Sequence, residues 1–284
     1  MRALVANIED VFREAAARWT LLAYFALSSL FIFIFAMAVN LDIVDGALAG
    51  AKIFGNTLNM RGAQVDVDKL VLGFETGFSG FLYLLGTFLA LFATAHLVPR
   101  LQEKGTIDLY LSRPVGRVPL LLSRYLAGLI LATVNIVYLI GSVWGIVIWK
   151  TRVVHPRFAL AGVIVLFAVA TLLALAFLIG VVTSSTAVSL MGTFGIYLFS
   201  AILSLHERME AAVSSELAAK AINALYWILP KTYELGQATA ATVMGAEAPA
   251  RVSAALSVTP FLTTAAFGIV CLALSAWLFK RKDF

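Results

Sequence analysis

Charge is what this chain has least of. Asp, Glu, Lys and Arg make up 13% of it against 61% hydrophobic residues, where a soluble domain of similar size carries about 25% charge. The apolar excess is gathered into long runs, which excludes an ordinary soluble globule and makes the chain an integral membrane protein. Cysteine is nearly absent. Cys271 stands alone inside an apolar run, so no disulfide within the chain and no cysteine-based metal site is available. Histidine is scarce too: His96, His155 and His206 are far apart and near the ends of apolar runs, where they read as interfacial or capping residues, and no metal is expected. No G-x-x-x-x-G-K-[ST] run occurs, so the chain has no P-loop to cradle ATP phosphates. The apolar runs hold essentially no ionisable residue at their centres, which argues against a proton- or sodium-coupled pump.

What is present is a pattern of six apolar runs. They cover about 21–40, 78–98, 120–149, 158–182, 189–205 and 260–279. A run of about 20 residues suffices to cross a hydrocarbon layer of about 30 Å, and the long third run needs tilt or projects beyond the bilayer. The expected fold is therefore all-α with six transmembrane helices in a single membrane domain, 1–284. No internal repeat and no second domain stand out.

The polar intervals carry the remaining information. In residues 3–18, Leu4, Ile8, Val11, Phe12, Ala15 and Trp19 recur at helical spacing with charged residues on the other faces, the pattern of an amphipathic helix lying on a membrane. Residues 41–75 are more polar and read as an exterior loop with some helix. Thr183, Ser184, Ser185 and Thr186 form an uncharged break between runs four and five, where hydroxyls can satisfy freed backbone groups. Residues 206–259 form a second polar interval with a helix-forming first half, a proline-containing segment at 228–236, and an irregular remainder. Gly73/Gly77 and Gly141/Gly145 have small-xxx-small spacing and can pack helices within the chain or between two copies.

Basic residues set the orientation. With six spans both termini share a side, and that side carries eleven of the 21 basic but only six of the 16 acidic residues, leaving ten of each for the other. Positive residues mark the cytoplasm, so both termini are expected there. Lys150, Arg152 and Arg157 crowd an exterior segment and run against the rule. The basic residues flank apolar runs without interleaved aromatics, which favours anionic membrane lipid over nucleic acid as the counter-charge.

One interval stands apart. Between the second and third runs the chain reads E-x-G-T-x-D-L-x-L-S-R-P-x-x-R from Glu103 to Arg117. Gly105 breaks any preceding helix and Thr106 can cap a new one. Asp108 then falls in the first turn, where a carboxylate suits the helix dipole. Pro114 disfavours helical angles at Arg113 and ends the helix near Ser112. A short helix at the membrane surface results. This order of residues, followed by an apolar run, resembles ABC transporter permeases of the type-2 exporter class. Asp108 departs from the pattern, where family members often carry Glu.

The resemblance implies a function. In that family this segment is a coupling helix docked on a separate ATPase subunit, with Glu103, Gly105, Thr106, Asp108, Arg113, Pro114 and Arg117 at the matching positions. Glu103 with Arg113 or Arg117 would make the polar contacts, while Gly105, Thr106 and Pro114 would shape the segment. It also implies a cytoplasmic elbow helix at 3–18, a second, smaller coupling turn at Thr183 to Thr186, and an interfacial or partly re-entrant element near 228–236. The expected partners are an ATP-binding cassette subunit carrying ATP and Mg, and a second permease copy or related chain. The expected location is the inner membrane of a prokaryote, the direction export, and catalysis is expected in the partner. Two other readings compete. One is a non-transporting anchor or regulator that recruits an ATPase. The other is an intramembrane protease of the rhomboid kind, suggested by Gly77-Phe78-Ser79-Gly80. That needs a histidine base near Ser79, and His96 lies 17 residues along the same run, about 25 Å away at helical rise.

Overall fold

Long runs of Leu, Ile, Val, Phe and Ala form helices where proline is kept out of their interiors. The prolines of the long helices, Pro119, Pro156 and Pro260, all lie in a first turn, where a missing N–H costs nothing. The computed structural model describes residues 9–11, 13, 19–44, 47–53, 56–58, 67–103, 105, 116–213 and 215–282. The long helices are α1 (Thr20–Ala38), α2 (Val67–Thr94), α4 (Arg117–Thr151), α5 (Pro156–Thr183), α6 (Thr186–Leu203) and α11 (Val258–Arg281), with the short α3 (Leu97–Leu101) continuing α2 after a turn. Between α6 and α11 come α7 (His206–Ala212), α8 (Glu216–Ile228), α9 (Thr232–Met244) and α10 (Ala250–Ser253).

Five segments are long and apolar enough to cross a membrane: Val71–Leu101, Arg117–Thr151, Pro156–Thr183, Thr186–Leu203 and Val258–Arg281. The first expected span is shorter, with its apolar part at Leu21–Met37. It stops because the chain turns extended at once: β1 (Val39–Val44), β2 (Ala47–Ile53) and β3 (Asn56–Leu58) form a small antiparallel sheet. This corrects the first part of the loop with some helix expected at 41–75, which is a sheet; the end of that interval belongs to α2, which begins eleven residues before the expected 78. Of the expected elbow helix, only Glu9, Asp10, Val11 and Arg13 are described; they are helical, and Arg13 pairs with Glu9 one turn away at 2.6 Å.

α5 is the axis of the bundle. It is apolar on every face, as a helix surrounded by others must be, and packs against α2, α4, α6, α9 and α11. Two apolar clusters fill the bundle. One joins α1, α2, α4, α5 and α9 through residues such as Tyr24, Tyr83, Leu139, Val165 and Leu235. The other closes the end where α3 meets α4 and α11, and includes Val11, Leu97, Leu101, Leu120, Phe177 and Phe279. Burial of Val11 in the second cluster ties the N-terminal segment to the bundle.

The 206–259 interval folds inward. α8 has no fully buried residue, whereas Leu235, Ala238 and Ala241 of α9 are completely buried between α2 and α5. The turn between the two helices lies deep. The Tyr83 hydroxyl donates to the Thr232 carbonyl at 2.7 Å, and Tyr83 is sixteen residues into α2, about 24 Å along it. The far end of α9 reaches the start of α5, where Gly245 at φ 59° lies against the Arg157 guanidinium. The hairpin thus packs α9 into the bundle while α8 stays on its surface.

Candidate functional site at the basic end of the bundle

The segment that singled itself out in sequence is partly described. Thr106, Asp108, Arg113 and Pro114 lie outside the described residues, as does Lys104. The preceding helix ends at Leu101 with Gln102 as its cap; Glu103 is exposed, and Gly105 has φ 85°, a left-handed angle that glycine adopts without the usual Cβ penalty. Arg117 begins α4 and directs its Nη1 to the carbonyls of Lys282 at 2.7 Å and Lys280 at 3.1 Å. One flank of the segment is thereby tied to the C-terminus.

The other flank is tied to the turn between α5 and α6. Gln102 Nε2 donates to the Gly180 carbonyl at 2.9 Å, and Ser184 Oγ donates to Gln102 Oε1 at 3.0 Å. Gly180 allows a close approach here, since a Cβ would meet Pro99 at 3.2 Å. The 183–186 break then behaves as its residue types dictate. Thr183 Oγ1 donates back to the Ile179 carbonyl at 2.8 Å. Ser184 is left-handed at φ 52°, Ser185 caps α6 by accepting from the Val188 N–H at 3.4 Å, and Thr186 opens that helix. The result is a tight, exposed turn beside the start of the 103–117 segment.

Lys282 joins all three pieces. Its Nζ donates to Gln102 Oε1 at 2.5 Å, to the Val181 carbonyl at 2.7 Å and to Ser184 Oγ at 2.8 Å, which uses every donor of an ammonium. Burial holds its pKa below the ordinary lysine value. In sequence Lys282 counted only as positive charge closing the last span. Neither it nor Gln102 belongs to the motif, and no local signal marks them.

Two buried polar clusters lie elsewhere, neither of them at the centre of a span. Glu75 lies in α2, 1% exposed, and its Oε2 meets His155 Nδ1 at 2.8 Å, while its Oε1 has no hydrogen-bond partner among the described residues. Lys231, 3% exposed, sits at the deep turn of the hairpin with Nζ 3.3 Å from the Tyr226 ring centre and 4.4 Å from that of Trp227. Tyr226 stacks on His206 and donates to Glu234 at 2.6 Å. Glu75 falls in the interval expected as an exterior loop, and no local signal marks either residue as buried, because burial there comes from chain reversals that hydropathy does not register. Arg124 is also buried, 2% exposed near the start of α4.

The remaining expected positions separate clearly. A Cβ at Gly73, Gly77, Gly141 or Gly145 would meet nothing within 4 Å, so these glycines do not pack helices within the described residues. Close approaches occur instead at other glycines, among them Gly162 against Ile140, Gly128 against Leu97 and Leu173, and Gly268 against Thr171. Ser79 is buried and donates to the Thr76 carbonyl at 2.7 Å on its own helix. No group of three metal-ligating side chains occurs among the described residues.

Residues 11–284 match the family described as ABC-2 family transporter protein. The chain belongs to the ABC-2 transporter family. Members of this family are membrane-embedded transport components rather than catalysts, so this ABC-2 chain is a multi-pass permease, and the protease reading of Ser79 falls away. No curated protein matches it.

Proposed function

We propose that this ABC-2 chain is the six-span permease subunit of an ATP-driven exporter. It is moved by a separate ATPase that binds its ATP and Mg and docks on residues about 100–118. α1 supplies the sixth crossing, and both termini lie in the cytoplasm of a prokaryote with an inner membrane. A second copy or a related permease chain completes the pathway. The carrying observation is the tie among Gln102, Ser184, Arg117 and Lys282. It links the flanks of the segment resembling a coupling helix to the 183–186 turn and to the end of α11, so a push at one place reaches α2, α4, α5 and α11 together. Stiff helices joined at one end act as levers, which suits a machine whose fuel is consumed elsewhere.

The test pairs binding with turnover. The ATP-binding cassette protein of the same transporter should co-purify with this chain, and its ATP hydrolysis should rise on reconstitution. Replacing Glu103 and Arg113 together should remove that stimulation while the permease still folds. Unchanged binding and hydrolysis would overturn the coupling role, and stimulated hydrolysis without substrate flux would favour an anchoring or regulatory subunit.

A further inference from the structure

A concave groove of about 380 Å³ opens on the side of the bundle between α1 and the end of α2, a size within the usual range of small-molecule sites. Its wall is apolar, built from Leu27, Leu89 and Phe92, and its mouth at the basic end is formed by His96 and Arg100. Trp19, 75% exposed, stands at the same mouth, as aromatic residues do at headgroup depth. Tyr24 also lines the groove. Its side chain is 3% exposed, yet its hydroxyl has no hydrogen-bond partner among the described residues. A buried hydroxyl normally finds a partner, and this donor has none among the described residues.

We propose that the groove binds one anionic phospholipid of the leaflet at the basic end. The phosphate lies against Arg100 and His96, a headgroup or ester oxygen accepts from Tyr24, and one acyl chain runs along Leu27, Leu89 and Phe92. Seven residues separate Leu89 from His96, about 10 Å at helical rise, which fits within the roughly 15 Å depth of one leaflet. Charge complementarity selects the occupant, since a guanidinium at the membrane surface attracts anionic headgroups. The inference goes beyond the permease reading and does not depend on the identity of any ATPase.

The full-length protein, stripped of lipid in detergent and given equal phosphatidylglycerol and phosphatidylcholine, is weighed by native mass spectrometry. One phosphatidylglycerol per chain should be retained, preferred by about fivefold, the gain of one basic group near a charged headgroup. Ala23→Trp, which fills the groove from an exposed helix position, should remove the bound lipid; Tyr24→Phe should weaken retention without loss of thermal stability. Should Ala23→Trp fail to fold, Phe92→Cys in a Cys271→Ser background, blocked with a bulky maleimide, should remove it instead. Equal retention of both lipids, retention unaffected by a filled groove, or cross-linking of Phe92→Cys to a second copy would each overturn the proposal.

Discussion

At the scale of single residues, a lysine and a carboxylate set the sharpest expectations. Lys282 ties the end of α11 to Gln102 and to the 181–184 stretch through neutral acceptors. Lys282→Met keeps the stem and removes the donors, and should lower the thermal midpoint in detergent by a few degrees and reduce ATPase stimulation. Its pH dependence has a definite sign. Burial lowers the folded pKa below 10.5, so just below that pH the unfolded chain holds the proton more tightly. Stability should therefore rise as pH approaches 10.5. The rise should be shallower in Lys282→Met, as measured by thermal unfolding from pH 8.5 to 10.5. Glu75 gives the second expectation. His155→Ala leaves a buried carboxylate with no partner, which should cost about 3 kcal/mol. Glu75→Gln added to it should recover most of the loss, and a double-mutant cycle of unfolding measures the recovery. Gly105 and the hydroxyls of Thr183 and Ser185 were legible in sequence, because their roles are local. Lys282, Gln102 and His155 were not, because their partners lie 80 to 180 residues away.

At the scale of elements, the hairpin turn at Pro230 to Thr232 explains how irregular backbone survives at depth. The Lys231 N–H donates to Thr264 at 3.1 Å and the Thr232 N–H to Ser200 at 3.0 Å, while Ser200 Oγ donates to the Pro230 carbonyl at 2.6 Å. Pro230 itself has no N–H to satisfy. Side chains of α2, α6 and α11 thus replace water that the interior lacks. Ser200→Ala removes both hydrogen bonds of the hydroxyl and leaves the Thr232 N–H and the Pro230 carbonyl only their mutual contact at 3.0 Å, so it should cost about 1–2 kcal/mol, seen as a lower thermal midpoint. The glycines divide on the same reasoning. Gly268→Val presses a side chain into Thr171 and should cost about 1–3 kcal/mol by overpacking. Gly141→Val meets open space and should leave the monomer unchanged, so any effect it has must appear in the association of copies, measured by analytical ultracentrifugation.

At the scale of the whole molecule, the helices place the ends of the chain and the 102–117 flanks at one end of the bundle. The sheet, the Glu75–His155 pair and the mouth of the hairpin lie at the other. In a Cys271→Ser background, Thr183→Cys and Glu103→Cys should react with an impermeant maleimide only in inside-out vesicles, and Glu247→Cys only in right-side-out vesicles. Reversal of that pattern would invert the orientation drawn from the basic residues.

The amino-acid order alone determined that this chain lives in a membrane, where most of its spans fall, and which interval breaks the apolar pattern. Hydropathy and glycine or proline punctuation act within a few residues and need no fold to be read. It misjudged the first part of 41–75, where a sheet stands in place of the expected loop, and it missed the burial of Glu75, because a polar residue resembles solvent-exposed chain until a bundle covers it. Only the tertiary structure decided which loops touch, which glycines are crowded, and that a lysine and a carboxylate are buried. Those outcomes depend on helices brought together from distant parts of the chain, and packing between them leaves no local trace.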